Sequence, residues 1–171
     1  KAARAAETET NWGDDIWSLH MDMNEAKQAF EYMINKVQEK LGCQNVVHCF
    51  SDHSSNFRKG VDATYKGNRK GTRKPVGYVE LCDWVRANNE SLTKPNLEAD
   101  DVMGIMATHP DNIGKSVIVS DDKDMLSIPG KVYRPMADEQ IEVSEQDADR
   151  QFLMQTLTGD SVDNYPGIPG I

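Results

Sequence analysis

The chain has 171 residues, of which 38% are hydrophobic and 27% charged, which suits one globular domain with a core. No apolar run approaches the length of a membrane span and no signal peptide is visible, so we expect a cytoplasmic protein without a membrane partner. The three cysteines are odd in number and lack metal-ligand spacing, which argues against a disulfide framework.

The charge is unevenly distributed along the chain. The net charge is -9, but residues 58–74 carry +6, which leaves -15 on the rest. An acidic chain disfavours a nucleic-acid partner, whereas a basic strip beside acidic clusters suits phosphodiester chemistry, because the cations hold the nucleic-acid backbone. A solvated basic loop is the alternative. The basic residues of this strip are Arg58, Lys59, Lys66, Arg69, Lys70, Arg73 and Lys74.

The apolar spacing predicts alternating helices and strands. Residues 1–7 are alanine-rich, like the end of a helix, and residues 16–23 fit a short strand or a loop. Residues 51–77 contain four glycines and few apolar side chains, so we expect them to project from the core. The other predicted elements are helices at 24–41, 76–89, 98–108 and 144–158, and strands at 46–50, 92–97, 116–120 and 131–133.

Acidic residues follow the ends of predicted strands. Asp52 comes directly after the strand at 46–50, and Asp122 and Asp124 come after the strand at 116–120. In open α/β sheets, ligands bind beyond the carboxyl ends of parallel strands, so these acids are expected at one edge. We therefore predict an α/β fold with a mostly parallel central sheet and helices on both faces.

Three more acids, Glu98, Asp100 and Asp101, crowd the start of the helix at 98–108. Two unit charges about 4 Å apart repel by roughly 4 kcal/mol at an effective dielectric near 20, so the cluster needs a positive charge. Carboxylate-only clusters favour Mg²⁺ or Mn²⁺. A solvated acidic helix start explains this cluster equally well when it is taken alone.

The last thirteen residues combine acids with turn-forming residues. Asp160 and Asp163 stand three apart, and Gly167 and Gly170 belong to a Gly-Ile-Pro-Gly turn. Such turns can present backbone amides to a phosphate. A plain tail is the alternative explanation.

Five motifs together resemble the flap endonuclease and 5′-3′ exonuclease family, and most closely its short phage-type members. The resemblance covers residues 16–171. The motifs are Phe50-Ser51-Asp52, Tyr65-Lys66-Gly67-Asn68-Arg69, Leu97-Glu98-Ala99-Asp100-Asp101, Val119-Ser120-Asp121-Asp122-Lys123-Asp124 and Gly159-Asp160-Ser161-Val162-Asp163-Asn164.

The resemblance implies a two-metal phosphodiesterase with a PIN-like (resolvase-like) fold. Two Mg²⁺ or Mn²⁺ ions are expected, one held mainly by Asp52, Glu98, Asp100 and Asp101, the other by Asp122, Asp124, Asp160 and Asp163. A K⁺ ion at the hairpin segment is a further expectation. Lys66 and Arg69 are expected to act on the scissile phosphate. The expected DNA contacts are Arg58, Lys59, Tyr65, Lys66, Arg69, Lys70, Arg73, Lys74, Gly167 and Gly170.

The resemblance also implies a domain layout. Residues 1–158 form the nuclease domain with an arch at about 53–77, and residues 159–171 carry the second acidic motif and the start of a helix-hairpin DNA-binding region. The family's first strand, with its metal-ligand Asp, has no counterpart here, which suggests a fragment. Gln155 stands where many relatives place a lysine.

The expected substrate is DNA with 5′ ends or flaps, or RNA paired with DNA, cut by a monomer in the cytoplasm of a phage-infected or other bacterial cell. Two other functions compete with this one. A DNA-binding module with an incomplete metal site would grip branched DNA without cutting it. A PIN-type ribonuclease would share the carboxylate edge.

Overall fold

A computed structural model describes residues 1–69, 71 and 73–170, with the side chain of Arg69 and all of Lys70 outside that description. The chain forms two compact units, Lys1–His48 with Gly71–Ser91 and Cys49–Lys70 with Leu92–Ile171. Among the described residues, every helix is too short or too polar to cross a membrane.

Helices and strands are interspersed along the chain. Two 3₁₀ turns, Gly67–Arg69 and Lys123–Ser127, accompany them. In chain order the elements are α1 (Ala2–Ala5), β1 (Glu7–Asn11), β2 (Trp17–Met21), α2 (Met23–Leu41), β3 (His48–Phe50), α3 (Phe57–Val61), α4 (Tyr78–Asn88), β4 (Ser91–Thr93), α5 (Ala99–Thr108), β5 (Val117–Val119), β6 (Gly130–Arg134), β7 (Glu139–Val143) and α6 (Glu145–Thr158).

The first unit is built around α2. Asp22 caps this helix by accepting hydrogen bonds from the backbone N–H groups of Asn24 and Glu25, and Gly42 ends it with a φ of 62°. Its core consists mainly of small side chains, which allow close helix packing: Ala2, Ala3, Ala6, Ala26 and Leu81.

An antiparallel hairpin of β1 and β2 also belongs to the first unit. The sequence predicts only its second half, and as a strand or a loop. The first strand reads Glu-Thr-Glu-Thr-Asn, with four of its five residues exposed, so it carries no apolar alternation.

The second unit contains a three-stranded sheet, in which β5 leads into the acidic motif of Asp122 and Asp124. Its core side chains are Ile118, Met125, Val132, Val143 and Ala148. Strand β6 pairs in parallel with β5 and antiparallel with β7. The predicted α/β class is confirmed, but the sheet is mixed and not mostly parallel, because β6 returns as β7 through a short turn that permits only antiparallel pairing.

The predicted helices at 98–108 and 144–158 are confirmed to within one residue as α5 and α6. The predicted strand at 92–97 is shorter than expected, since β4 ends at Thr93. A turn follows, in which the Leu97 N–H donates to the Lys94 carbonyl and Asn96 adopts a φ of 64°. Strands β3 and β4 pair as a separate two-stranded sheet.

Candidate active site

Two of the acids at the start of α5 stabilise the helix itself. The Glu98 N–H donates to Asp101 Oδ2 at 2.9 Å, while the Glu98 side chain accepts from the Asp101 N–H. This reciprocal capping box satisfies backbone donors that the first turn of a helix leaves unpaired. The alternative explanation for this cluster, an acidic helix start, therefore accounts for part of the motif.

Arg58 neutralises the same helix start. Its Nη1 and Nη2 donate to the two carboxylate oxygens of Asp101, both at 2.7 Å, and its Nη1 lies 3.6 Å from Glu98 Oε2. Burial would raise the pKa of Asp101, but the Arg58 hydrogen bonds hold that pKa below its usual range. Arg58 thus faces the acidic cluster, although the sequence predicted it as a DNA contact.

Lys66 and Tyr65 connect Glu98 with the last acidic motif. Lys66 Nζ donates to both oxygens of Glu98, at 2.8 and 3.0 Å, and lies 3.6 Å from Asp163 Oδ2. The Tyr65 hydroxyl is 2.8 Å from Glu98 Oε2 and 2.9 Å from Asp163 Oδ2. Burial and these acceptors raise the pKa of Tyr65 well above its usual value, so it remains a donor.

The second acidic cluster is organised by the 3₁₀ turn after β5. Asp122 caps this turn by accepting from the Asp124 N–H at 3.0 Å. From α6, Gln155 Nε2 donates to Asp124 Oδ1 at 2.8 Å and lies 3.3 Å from Asp160 Oδ2. Lys123 Nζ pairs with Asp160, which is only 7% exposed, at 2.9 Å, and this bond keeps the pKa of Asp160 low.

Electrostatics link the two clusters through Asp100. Burial first, and then the negative charge of Asp122, raise the pKa of Asp100 to about 6, with smaller contributions from Glu98 and Asp124. Burial, Asp122 and two other acids likewise raise the pKa of Asp124, against the hydrogen bond from Gln155. The negative charge of Asp122 therefore makes the charged forms of both Asp100 and Asp124 less favourable.

This donor set fits a hard divalent cation, because carboxylate oxygens are the ligands that Mg²⁺ and Mn²⁺ prefer and a cation would relieve the repulsion. The side chains are not gathered into a ready-made site, however. Within residues 1–69, 71 and 73–170, no three Asp, Glu, His or Cys side chains stand close enough together to hold an ion. Arg58, Lys66 and Lys123 compensate part of the negative charge instead.

Asp52 organises its own loop. Its Oδ1 accepts from the N–H and hydroxyl of Ser54 at 2.8 and 2.6 Å, and its Oδ2 accepts from the Ser55 hydroxyl at 3.0 Å and the Asn96 N–H at 2.9 Å. These bonds hold the pKa of Asp52 far below its usual value. A metal-ligand role for Asp52 stays a prediction.

The other predicted DNA contacts are dispersed. In the first unit, Arg73 donates to both oxygens of Glu7 at 2.6 and 2.7 Å, and Lys74 Nζ lies 4.9 Å from the centre of the Tyr78 ring. In the second unit, Lys59 is exposed on α3. The Arg69 side chain and Lys70 lie outside the described residues.

The glycine turn at the end of the chain packs tightly on itself. Gly167 has a φ of 66°, and a Cβ there would collide with the backbone nitrogen of Gly159. The Ile168 N–H donates to the Leu157 carbonyl at 2.9 Å, and Asp160 and Tyr165 exchange two backbone hydrogen bonds. Gly167 therefore fixes the loop that carries Asp160 and Asp163.

Gly170 has a φ of 91°, and a Cβ there would meet no described atom within 4 Å beyond its chain neighbours. The predicted phosphate contact at Gly170 stays a prediction.

The sequence alone did not assign three supporting residues. Ser51 Oγ accepts from the Ala99 N–H at 3.0 Å, which ties the end of β3 to the start of α5. Lys123 lies inside the motif Val119-Ser120-Asp121-Asp122-Lys123-Asp124. Its position between two aspartates was the feature of the sequence that could have indicated a charge-pairing role. Gln155 was noted only as standing where many relatives place a lysine, and it donates hydrogen bonds to Asp124 and Asp160.

Comparison with known proteins gives consistent relatives. The exodeoxyribonuclease of Enterobacteria phage T3 and the exonuclease of Escherichia phage T7 are each 38% identical to the chain, over 99% of its length. The chain spans 59% of the length of either relative. A DNA polymerase I from Rhizobium leguminosarum is 31% identical over 71% of the chain, which matches 13% of that enzyme.

Solved structures share the fold. The D15 protein of phage T5, crystallised with metal ions, superposes with a TM-score of 0.68 at 15% identity, covering 84% of this chain and 63% of that one. A complex of the T5 flap endonuclease with DNA and metal ions gives a TM-score of 0.66 at 16% identity, covering 84% and 62%. The expected PIN-like fold is thereby confirmed. Since the family profile "5′-3′ exonuclease, N-terminal resolvase-like domain" matches residues 20–153, the chain belongs to the 5′-3′ exonuclease family.

Proposed function

We propose that this chain hydrolyses phosphodiester bonds in DNA, starting from 5′ ends or flaps, with divalent metal ions. The observation that carries the proposal is the placement of Asp100 beside other acids, where burial and the charge of Asp122 raise its pKa to about 6. Repulsion of this kind opposes folding, and carboxylates with raised pKa values concentrate at functional sites.

The metal ions would be Mg²⁺ or Mn²⁺, and we assign them to the carboxylates around Asp100. One set is Asp52, Glu98, Asp100 and Asp101; the other is Asp122, Asp124, Asp160 and Asp163. When bound, such ions supply an activated water and neutralise charge on the phosphate. A K⁺ ion at Gly167–Gly170 belongs to the proposal as well.

The basic side chains of the site would receive the substrate. Lys66 Nζ lies close to both Glu98 and Asp163, so it could donate to a phosphate that binds near these acids. Lys66 would hold that phosphate and stabilise the negative charge that develops on it, and Arg69 is proposed to do the same. Tyr65, a donor at all ordinary pH values, would orient Glu98 and Asp163.

The substrates are proposed from the family. They are DNA with 5′ ends or flaps and RNA paired with DNA, cut by a monomer in the cytoplasm of a phage-infected or other bacterial cell. The remaining proposed DNA contacts are Lys59, Lys70, Arg73, Lys74, Gly167 and Gly170. Arg58, which the sequence analysis also predicted as a DNA contact, pairs with Asp101 in the structure.

A second candidate is DNA binding without cleavage. It is favoured by one observation: the acids of the described residues are compensated by Arg58, Lys66 and Lys123 and are not gathered into a ready-made metal site. Under this alternative, the basic side chains would leave their carboxylate partners and bind phosphates of the DNA, and no phosphodiester bond would be cleaved.

The test is cleavage of four 5′-labelled substrates, an overhanging duplex, a flap, an RNA–DNA hybrid and a single-stranded RNA, with Mn²⁺ and then Mg²⁺. We expect metal-dependent release of 5′ products from DNA, abolished by chelator and by Asp122→Asn. The matched control is Asp111→Asn, because the Asp111 side chain is 88% exposed. Binding without product at any metal concentration would support the second candidate, and cutting of RNA alone would indicate a PIN-type ribonuclease.

A further inference from the structure

We propose that Arg58 is a positioning residue, which holds the start of α5 through Asp101 and so fixes Glu98 against Lys66 and Tyr65, and that it does not contact DNA. The inference rests on the proposed nuclease function only for its effect on catalysis. Its structural part can be tested without cleavage.

The first argument is that the guanidinium is already committed. Both terminal nitrogens of Arg58 donate to Asp101 at 2.7 Å in the two-pronged geometry that only arginine provides. A phosphate contact would have to break these two charge-assisted bonds and leave the Asp101 carboxylate without its arginine partner. Lys59, its exposed neighbour on α3, faces no such cost.

The second argument is that neighbouring residues hold the side chain and the backbone of Arg58 in place. Its guanidinium lies 4.7 Å from the centre of the Phe57 ring and 5.9 Å from that of Tyr65. Its backbone N–H donates to the Asn56 side chain at 2.9 Å, and the Phe57 N–H donates to the Asn96 carbonyl at 3.1 Å. Arg58 therefore projects from a fixed helix start.

The third argument follows the chain of contacts into the site. Asp101, held by Arg58, accepts from the Glu98 N–H at 2.9 Å, and this bond sets where Glu98 leaves the helix. The Glu98 carboxylate in turn receives Lys66 Nζ at 2.8 Å and the Tyr65 hydroxyl at 2.8 Å. Removing the bidentate contact frees Asp101, and the backbone of Glu98 then loses the support that this contact gives it, while Lys66 and Tyr65 still bind its carboxylate.

The direct test is amide hydrogen exchange, measured by NMR on wild type and Arg58→Lys. Lysine retains the charge and cannot make the two-pronged contact, so the variant is expected to fold. We expect exchange of the Glu98 N–H to accelerate at least about tenfold. The adjacent Ala99 N–H, which donates to Ser51 Oγ, is the internal control and should change less than about twofold. Unchanged Glu98 exchange would overturn the inference.

The second test separates positioning from DNA contact. Arg58→Gln and Arg58→Lys should both lower kcat at least about tenfold with KM within about twofold, and neither should change the salt dependence of DNA affinity. Lys59→Gln, a candidate phosphate contact, should reduce the slope of log affinity against log salt by about one. A slope reduced by Arg58→Gln and restored by Arg58→Lys would instead establish a phosphate contact.

Asp101→Asn provides the partner for a double-mutant cycle. Because both residues act through one contact, the double variant Arg58→Lys with Asp101→Asn should be no more impaired than the worse single variant. Additive losses would contradict a shared contact. If the wild-type chain proves not to cut any substrate, the proposed function fails, while the exchange measurement still decides the role of Arg58.

Discussion

Replacing Asp100 with asparagine should stabilise the metal-free protein while abolishing its activity. The pKa of Asp100 rises from 3.8 to about 6, mainly through burial and the charge of Asp122. One pKa unit corresponds to about 1.4 kcal/mol, so the charged carboxylate costs the fold up to about 3 kcal/mol at neutral pH. Because the side chain is only partly buried and solvent screens part of this cost, we expect a gain of about 1–2 kcal/mol from Asp100→Asn.

The pH dependence gives this prediction its sign. The folded protein binds the Asp100 proton more tightly than the unfolded chain does, so between pH 3.8 and about 6 the wild type loses stability as pH rises. Asparagine has no proton to lose. The advantage of Asp100→Asn should therefore be small at pH 4, grow up to about pH 6 and remain constant above about pH 7.

Thermal unfolding in chelator, followed by circular dichroism at pH 4, 5, 6, 7 and 8, measures this difference. At pH 7 and 8 the unfolding midpoint of Asp100→Asn should exceed that of wild type by roughly 3–6 °C. Asp111→Asn, at an exposed site, should not move the midpoint. A destabilised variant, or a difference that is the same at pH 4 and pH 8, would refute the electrostatic reasoning.

Three further predictions concern other parts of the chain. The hydrogen bonds from Arg73 are the main cause that lowers the pKa of Glu7 to about 2. The stability that the charged Glu7 contributes is therefore present above pH 4.5 and is lost as the pH falls towards 2. Glu7→Gln should lower the unfolding midpoint at pH 7 and make it less sensitive to acid, and an unchanged midpoint at pH 7 would contradict this. Gly167→Ala should cost at least about 1–2 kcal/mol in urea unfolding, because Gly167 has a φ of 66° and a Cβ there would collide with Gly159. Gly170→Ala should cost less, since a Cβ there would meet no described atom within 4 Å beyond its chain neighbours. Equal costs would count against the tight turn. Gln155→Leu removes a hydrogen bond to the charged form of Asp124 and so raises the pKa of Asp124 further. Cleavage by this variant should therefore fall more at pH 6 than at pH 8.5. A loss of cleavage that is independent of pH would argue against this role for Gln155.

The sequence was most informative where periodicity and capping residues agree. Ser144 accepts from the Asp147 N–H at the start of α6, and Gly42 ends α2, as the pattern predicts. The hairpin of β1 and β2 was incompletely predicted, because its first strand is polar and mostly exposed. Strand β7 was missed for a similar reason: only Ile141 and Val143 carry its apolar face.

The candidate site shows the same division. Residue types and spacing selected the acids as predicted metal ligands, on the expectation that carboxylates at the ends of parallel strands converge. In the structure, the strands that precede Asp52 and Asp122 belong to separate sheets, so the metal-ligand assignment stays a prediction. The partners of those acids could not be predicted, because they depend on contacts between residues that are far apart in sequence. Arg58 reaches Asp101 across 43 positions and Tyr65 reaches Asp163 across 98. A basic residue in a glycine-rich segment is expected to face solvent or DNA until such a contact is seen.

We propose that carboxylates around Asp100 hold the metal ions that cleave DNA. This proposal is tested by a Mn²⁺ titration followed by electron paramagnetic resonance, with cleavage of a 5′-labelled overhanging duplex measured in the same samples. We expect two bound ions per wild-type chain, product that rises as the second ion binds, and loss of one ion and of product in Asp122→Asn. Product formed in excess chelator, or Mn²⁺ binding and product unchanged in Asp122→Asn, would contradict it.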